Sequence, residues 1–312
     1  MEVAVPQVNI ASRWSRGGLG AFVGETAFAH YLDAYRAGMA LLPPHETFDV
    51  PTAFGTVRSY RFAGPECGAP VVLLPGRNAA APMYATNLTA LLRHRTVYAV
   101  DLLGEAGLSV QHTPIRTVED QARWLDDALG GLGLDRAHLF GVSVGGWTAV
   151  NAAVHGPGRI ASLTLLDPVF TFVRMPLAPI AASVLMFAPG VPERWRRRVQ
   201  SWIAGGADLD AAAPEATLIG AGATDFTLRT PMPKLFTDEQ LRAVDLPVLA
   251  LIAGRSVMLD PQRAVARARA LLPRGQVELW PDASHAINGE YPDEIAERAR
   301  RMWDQVDGVR RE

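Results

Sequence analysis

Short continuous runs of apolar residues alternate with longer amphipathic segments along most of the chain. The run 71–74, Val-Val-Leu-Leu, stops at Pro75-Gly76 and is typical of a strand buried on both faces of a sheet. The longer segments carry apolar side chains at helical spacing. This alternation predicts an α/β fold, with a mostly parallel sheet and helices on both faces. The predicted strands are the hairpin 46–62 with Gly55 in its turn, 71–74, 97–101, 137–140, 160–166, 247–252 and 277–280, and the predicted helices are 24–42, 85–92, 118–132, a segment ending near 154, 261–272 and 292–306.

The alternation stops between 168 and 244, where the sequence is rich in Pro, Ala and Met. Such a segment predicts short helices with irregular connections. We therefore expect an α/β core made of 1–167 and 245–312, with 1–45 as an N-terminal helical extension. The segment 168–244 is expected to be an inserted lid.

Composition excludes several classes of protein. The chain has 312 residues, of which 49% are hydrophobic, and a formal net charge of -2, which gives no sign of binding to nucleic acid or to a polyanionic substrate. A single cysteine, Cys67, excludes an intrachain disulfide and a CxxC metal motif. No pair of histidines has metal-ligand spacing with acids nearby, so neither a metal nor another cofactor is predicted.

Two segments bear on targeting and on membrane insertion. Residues 1–20 lack the basic and apolar regions of a signal peptide, and the apolar stretch 177–191 contains prolines and is too short to span a bilayer. These patterns predict a cytoplasmic protein without a membrane span.

The pentapeptide 141–145 has the pattern G-x-S-x-G, between the predicted strand 137–140 and a helical pattern. A serine at such a strand-to-helix turn exposes its hydroxyl at the edge of the sheet, which predicts a nucleophilic Ser143. The backbone N–H of Val144 falls in the first helical turn, where it can bind a developing oxyanion. Val142 is a candidate for substrate contact beside the nucleophile.

Four motifs together resemble the α/β-hydrolase superfamily, especially bacterial esterase-like members with an N-terminal helix. The resemblance covers nearly all of the chain after residue 45, and it implies that His285 is the general base. It also implies a lid at 168–244. The motifs are Leu-Pro-Gly-Arg at 74–77, Val-Asp-Leu-Leu-Gly at 100–104, the G-x-S-x-G turn, and Ala-Ser-His at 283–285 followed by Glu-Tyr-Pro at 290–292.

The segment 74–77 departs from the family pattern, because Pro75 stands where a histidine is usual. By its position, the Arg77 N–H is expected to form the oxyanion hole together with the Val144 N–H. The side chains of Arg77 and Asn78 are expected to face the substrate. The other six histidines are expected at the surface or at the edge of the core.

The acid of the triad is left open by the sequence. The usual position holds Ser256 or Val257, depending on the alignment anchor, and neither is acidic. Asp167, at the end of the strand 160–166, is preferred, because some members of the superfamily place the acid there. Asp260 is the alternative, and a site without an acid is the third. Asp167 can instead cap a turn, and Asp260 can cap a helix that begins at Pro261.

These features predict a serine hydrolase that acts on an ester, lactone or thioester of a small apolar molecule through a Ser-His-Asp triad and an acyl-enzyme. The missing acid at the usual position motivates an alternative, a non-hydrolytic cyclase or a small-molecule-binding protein of the same fold. Trp195 and Trp202 are expected to pack rather than contact substrate. The segment 185–187, Leu-Met-Phe, is expected to pack or to line an acyl pocket. The oligomeric state is not predicted.

Overall fold

The computed structural model describes residues 4–11, 17–179, 181–182, 191–203 and 213–309. Its strands are β1 (Ala21–Phe22), β2 (Glu46–Thr52), β3 (Gly55–Phe62), β4 (Val71–Leu74), β5 (Val97–Val100), β6 (Val110–Gln111), β7 (Ala137–Val142), β8 (Ile160–Leu166), β9 (Phe226–Thr227), β10 (Val248–Ala253) and β11 (Gly275–Trp280). Within the described residues, one sheet has the order β11-β10-β8-β7-β4-β5-β3-β2, and β6 pairs with β3. The strands from β11 to β5 in this order are parallel, and β3, β2 and β6 are antiparallel. The predicted mostly parallel sheet is confirmed.

Helices lie against both faces of this sheet. The helices of the described residues are α1 (Glu25–Met39), α2 (Ala85–Leu91), α3 (Val118–Gly131), α4 (Val144–His155), α5 (Glu193–Ile203), α6 (Pro214–Asp225), α7 (Asp238–Arg242), α8 (Pro261–Leu271), α9 (Ile287–Glu290) and α10 (Pro292–Asp307), and the first four, α8 and α10 contribute to the cores on the two faces. Side chains of a central strand alternate between two cores. Val72 and Leu74 of β4 pack in the core with α3, α4 and α8, whereas Val71 and Leu73 pack in the core with α1, α2 and α10. Burial on both faces explains why the central strands are continuous apolar runs.

The hairpin of β2 and β3 differs from the prediction at its turn. Its turn residues are Ala53 and Phe54, and Gly55 is the first residue of β3, paired with Thr52. Gly55 has φ of 155°, and a Cβ there would overlap the carbonyl oxygen of Val110 in β6. Glycine is therefore required by the close approach of β6 rather than by the turn.

The N-terminal segment pairs with the segment between β8 and β10. Strands β1 and β9 form an antiparallel pair with Phe22 opposite Phe226. The Phe22 ring is buried, and its centroid lies 5.0 Å from the rings of both Tyr31 and Phe226. The division of the chain into core, extension and lid stays a prediction.

Arg267 of α8 ties together the two ends of the segment inserted between β8 and β10. Its guanidinium donates to the carbonyl oxygen of Phe172 at 2.7 Å and to that of Phe236 at 2.8 Å. The Asp238 carboxylate accepts from the same guanidinium at 2.6 Å. The first and last parts of the insert are thus held side by side on the core.

A buried polar network occupies the amino ends of β7 and β8, at the sheet edge opposite the carboxyl ends of these strands. His138 lies 2.7 Å from Ser162 Oγ through Nδ1 and 3.1 Å from Asp307 Oδ2 through Nε2. Its ring stacks on Trp303 of α10. Arg95 donates to Asp307 at 3.3 Å. His138 is fully buried, so the expectation of a surface or core-edge histidine is wrong there, because this network satisfies both ring nitrogens.

Candidate active site

Ser143 lies in a sharp turn between β7 and α4. Its backbone has φ of 55° and ψ of -117°, a strained conformation for a residue other than glycine. A Cβ on Gly145 would overlap the carbonyl oxygen of Leu74, and a Cβ on Gly141 would overlap the backbone of Gly145. Both glycines are therefore required for α4 to begin so close to the sheet.

Three predicted side chains meet at the carboxyl ends of the parallel strands. His285, in the loop after β11, places Nε2 at 3.0 Å from Ser143 Oγ and Nδ1 at 2.6 Å from Asp167 Oδ2. Because an ionised carboxylate only accepts hydrogen bonds, the imidazole proton lies on Nδ1 and Nε2 is free to accept. Such a neutral imidazole can take a proton from the serine hydroxyl.

Asp167 directly follows β8 and is fully buried. Its Oδ1 accepts from the Ala253 N–H at 3.1 Å, and its Oδ2 accepts from Ser256 Oγ at 2.6 Å in addition to His285. Its φ is 42°, again in the left-handed region. The sequence left Ser256 and Val257 open at the family's usual acid position and predicted no role for either. The position of Ser256 in the turn after β10 was the sequence signal that could have revealed its hydrogen bond to Asp167.

The alternative acid, Asp260, is not brought to His285 in the described structure. Its carboxylate accepts from the backbone N–H of Arg263 at 3.1 Å and caps the first turn of α8. The side chain is 48% exposed. This matches the helix-cap interpretation of Asp260, with Pro261 at the first helical position.

The segment expected to form the oxyanion hole runs beside the nucleophile. A Cβ on Gly76 would lie 3.6 Å from the Cβ of Ser143. Val144 is the first residue of α4, as expected. Asn78 is buried and has φ of 59°, so the chain turns sharply directly after Arg77. Val142, the last residue of β7, is also buried.

Glu105, which the sequence did not predict as a site residue, contacts this segment through both carboxylate oxygens. Its Oε1 lies 3.5 Å from Arg77 Nη2, and its Oε2 accepts from the Asn78 N–H at 3.5 Å. Burial raises the pKa of Glu105, while the Arg77 charge and the Asn78 N–H act in the opposite direction. The Arg77 side chain was expected to face the substrate. Among the described residues, its charged partner is Glu105. No sequence pattern marks this pair.

A helix of the insert also contacts this segment. Gly222 of α6 lies so close that a Cβ there would overlap the carbonyl oxygen of Asn78 and come 3.2 Å from the Cβ of Ala106. The segment after β4 is thus contacted by both Glu105 and α6.

Asp101, part of the second family-like motif, is fully buried and acts on the backbone. Its Oδ1 accepts from the Ala81 N–H at 2.9 Å, and its Oδ2 accepts from the Leu108 N–H at 2.8 Å and from Tyr35 Oη at 2.9 Å. Burial raises the pKa of Asp101, and these hydrogen bonds oppose the shift. The carboxylate fixes the connections that follow β4 and β5.

Two predictions concern residues of the insert. Trp195 and Trp202 of α5 are 48% and 39% exposed, so both are partly covered, and the expectation that they pack rather than contact substrate stays a prediction. The segment 185–187 lies outside the described residues.

The part of the chain that the structure describes contains neither a metal-ligand cluster nor a candidate membrane-spanning helix. No cluster of three or more His, Cys, Asp or Glu side chains there is arranged to hold a metal ion. None of the helices described is both long enough and apolar enough to cross a membrane.

Comparison with known proteins identifies the family. The sequence model of the alpha/beta hydrolase family matches residues 71–298. The chain is 28% identical over 292 residues to an uncharacterized carboxylesterase, nap, from Bacillus subtilis, covering 90% of this chain and 94% of that protein. It is 29% identical over 276 residues to carboxylesterase YbfK of the same organism, covering 86% and 91% of the two chains.

Solved structures agree with these sequence relationships. The crystal structure of carboxylesterase CesB (YbfK) from Bacillus subtilis has a TM-score of 0.80 and 27% identity, over 88% of this chain and 97% of that one. The structure of naproxen esterase from Bacillus subtilis has the same TM-score, identity and coverage. The protein described here belongs to the alpha/beta hydrolase family, and within it resembles the carboxylesterases.

Proposed function

We propose that this protein hydrolyses carboxylic esters through a serine nucleophile and an acyl-enzyme. The observation that carries the proposal is the continuous chain of contacts from Ser143 Oγ through His285 to Asp167, at 3.0 Å and 2.6 Å. The family membership and the likeness to carboxylesterases support ester hydrolysis as the reaction.

In the first half of the reaction, Ser143 Oγ attacks the carbonyl carbon and its proton passes to His285 Nε2. The negative charge on the former carbonyl oxygen is stabilised by the backbone N–H groups of Val144 and Arg77. The carbon–oxygen bond to the alcohol then breaks, and His285 returns the proton to the departing oxygen. Asp167 holds the imidazole in the required tautomer and stabilises its positive charge.

In the second half, water attacks the acyl carbon while His285 Nε2 takes a proton from it. The bond to Ser143 Oγ breaks, the serine recovers its proton from His285, and the carboxylic acid leaves. No cofactor takes part in this sequence of steps.

The substrate is proposed to be an ester of a small apolar acid, with lactones and thioesters as further members of the same class, since all present a carbonyl carbon with a leaving group. The segment 168–244 is proposed to act as a lid over the serine and to supply apolar contacts. Val142 and Asn78 are proposed to contact substrate near the nucleophile.

The cyclase and binding-protein alternatives were motivated by the missing acid at the usual position. The 2.6 Å contact between Asp167 and His285 offers a carboxylate from another strand end, which supports hydrolysis over these alternatives. Neither alternative has a separate observation in its favour.

The test combines a fluorophosphonate probe, which labels activated serines, with measurement of the acid released from an activated ester. We expect labelling and acid release by the wild type and neither by Ser143→Ala. Absence of labelling in the wild type, or equal labelling of Ser143→Ala, contradicts the proposal. Labelling without acid release favours the non-hydrolytic alternative.

A further inference from the structure

Resting on the proposed function, we propose that Ser256 is a positioning residue, which fixes the Asp167 carboxylate for its contact with His285. Ser256 is separated from the nucleophile by both of these residues in the chain of hydrogen bonds. It would therefore act on the reaction only through Asp167.

The direction of the Ser256 hydrogen bond follows from its partners. Asp167 Oδ2 lies 2.6 Å from Ser256 Oγ and, as a carboxylate oxygen, can only accept. Ser256 Oγ in turn accepts from the Met258 N–H at 3.3 Å. The hydroxyl proton is therefore aimed at Asp167, and the Met258 N–H restricts the hydroxyl oxygen from the other side.

Ser256 and Ala253 together define the plane of the carboxylate without help from the histidine. The Ala253 N–H holds Oδ1 at 3.1 Å, and the Ser256 hydroxyl holds Oδ2. Both donors come from the end of β10 and the turn after it, whereas His285 comes from the loop after β11. The carboxylate is thus oriented in advance, and the histidine meets a fixed acceptor.

The charge of Asp167 makes this orientation important. The residue is fully buried, so its carboxylate depends on protein donors in place of water. Hydrogen bonds from a donor to a charged partner are shorter and stronger than those between neutral groups. Loss of the Ser256 hydroxyl would leave Oδ2 with His285 as its described donor.

The turn that carries Ser256 is itself bonded to the histidine loop. The Gly254 N–H donates to the Trp280 carbonyl at 2.8 Å, and the Arg255 N–H donates to the Ala283 carbonyl at 2.9 Å. Ser256 closes the turn, since its N–H donates to the Ala253 carbonyl at 3.2 Å. One short turn therefore sets the distance between the acid after β8 and the base after β11.

The experiment compares Ser256→Ala with Ser256→Thr, which retains the hydroxyl, and with Ser162→Ala as a matched control. Ser162 is also a buried serine, and its hydroxyl lies 2.7 Å from His138 at the opposite edge of the sheet. The readouts are kcat and KM on an activated ester and the proton resonance of His285 Nδ1–H.

We expect Ser256→Ala to lower kcat about tenfold, the size of a lost hydrogen bond to a charged group, with KM unchanged. The Nδ1–H resonance should shift, because the acceptor is no longer held in place. Ser256→Thr should keep most of kcat. Ser162→Ala should keep kcat and KM within about twofold of the wild type.

A double-mutant cycle separates positioning from a general structural role. In an Asp167→Asn background, Ser256→Ala should have little further effect on kcat, because its route to the reaction is already removed.

The inference is overturned if Ser256→Ala keeps wild-type kcat and the wild-type resonance, or if its loss of kcat is undiminished in the Asp167→Asn background. These outcomes leave the proposed function intact as long as Ser143→Ala is inactive and unlabelled. If Ser143→Ala is active, the proposed function itself fails.

Discussion

Three residues of the candidate site have backbone conformations that glycine adopts more readily. Ser143, Asp167 and Asn78 have φ values of 55°, 42° and 59°. A residue other than glycine in such a conformation costs of order 1–3 kcal/mol, and it persists where its surroundings fix it. At Ser143 and Asp167 glycine would relieve the strain but would remove the hydroxyl or the carboxylate. Local stability is therefore reduced at positions that the proposed mechanism uses.

The two candidate acids can be separated by matched substitutions. Asp167→Asn should lower kcat about 10³- to 10⁴-fold, because an amide can stabilise the wrong imidazole tautomer and no longer balances the imidazolium charge. Asp260→Asn should keep kcat, since asparagine caps a helix as well as aspartate does. Steady-state rates on an activated ester, with thermal unfolding to check folding, measure both effects. A large loss for Asp260→Asn with none for Asp167→Asn would contradict this assignment.

Local sequence could predict part of the site. Ser143 and His285 can be predicted as candidates because the glycines around the serine and the motif around the histidine are short segments of sequence, and the structure places the two side chains 3.0 Å apart. The choice between Asp167 and Asp260 stayed open, because it depends on which strand end lies beside the histidine loop. Glu105 was missed, since its contacts with Arg77 and Asn78 arise only when two separate connections meet.

At the scale of elements, the strands that are buried on both faces of the sheet were the ones that the sequence could predict. The central strands are apolar on both faces and were located to within a few residues. Strands β1, β6 and β9 have two residues each, too few for any periodicity to emerge. The pairing of β1 with β9 could not be predicted from local sequence either, because it joins segments from distant parts of the chain.

The contact of α6 with the segment after β4 makes a prediction about the oxyanion hole. Gly222→Ala would place a Cβ against the Asn78 carbonyl oxygen, so this segment or the helix must move. If the segment moves, the Arg77 N–H leaves its place, and kcat should fall about 10- to 100-fold. Rates on an activated ester measure this.

The control for this substitution is Gly158→Ala, where a Cβ would meet nothing within 4 Å. It should keep wild-type kcat. The overlap at Gly222 costs packing energy whichever element moves, so thermal unfolding of both variants is measured beside their rates to separate a local shift from a loss of folding. An unchanged kcat for Gly222→Ala would show that the helix moves and the Arg77 N–H does not.

At the scale of the whole molecule, the two edges of the sheet have different roles. The carboxyl ends of the strands hold the Ser-His-Asp contacts, and the amino ends hold the buried network of His138, Ser162 and Asp307. Through Asp307, Arg95 and the Trp303 ring, this network attaches α10 to the sheet. Activity and stability can therefore be altered separately.

This network predicts a pH dependence of stability. Burial lowers the pKa of His138 below its ordinary value of 6.5, although the hydrogen bond to Asp307 and the charge of Asp307 raise it, and the charges of Arg95 and Arg136 lower it further. The folded state thus favours the neutral ring, and the unfolded state binds the proton more readily. Stability should be fully present above the unfolded pKa and should fall as the pH drops through 6.5 towards the folded pKa.

The slope contributed by this one group is at most about 1.4 kcal/mol per pH unit. The measurement is the free energy of unfolding in urea between about pH 5 and 8, for the wild type and for His138→Gln. Glutamine does not titrate, so the variant should have a shallower slope even if it is less stable overall. Equal slopes for the two proteins would contradict the prediction. The pKa of Asp307 is lowered from 3.8, so its own titration lies below this range.

The hydrogen bonds that Arg267 makes to the two ends of the insert have a consequence for how the insert can evolve. Arg267 binds the carbonyl oxygens of Phe172 and Phe236, and every amino acid supplies a carbonyl oxygen. The bonds to Phe172 and Phe236 are therefore independent of the side chains of these two residues and of the length of chain between them, and the Asp238 carboxylate adds a contact that does depend on its side chain. The segment between Phe172 and Phe236 can therefore change in sequence and in length during evolution while both of its ends stay attached to the core.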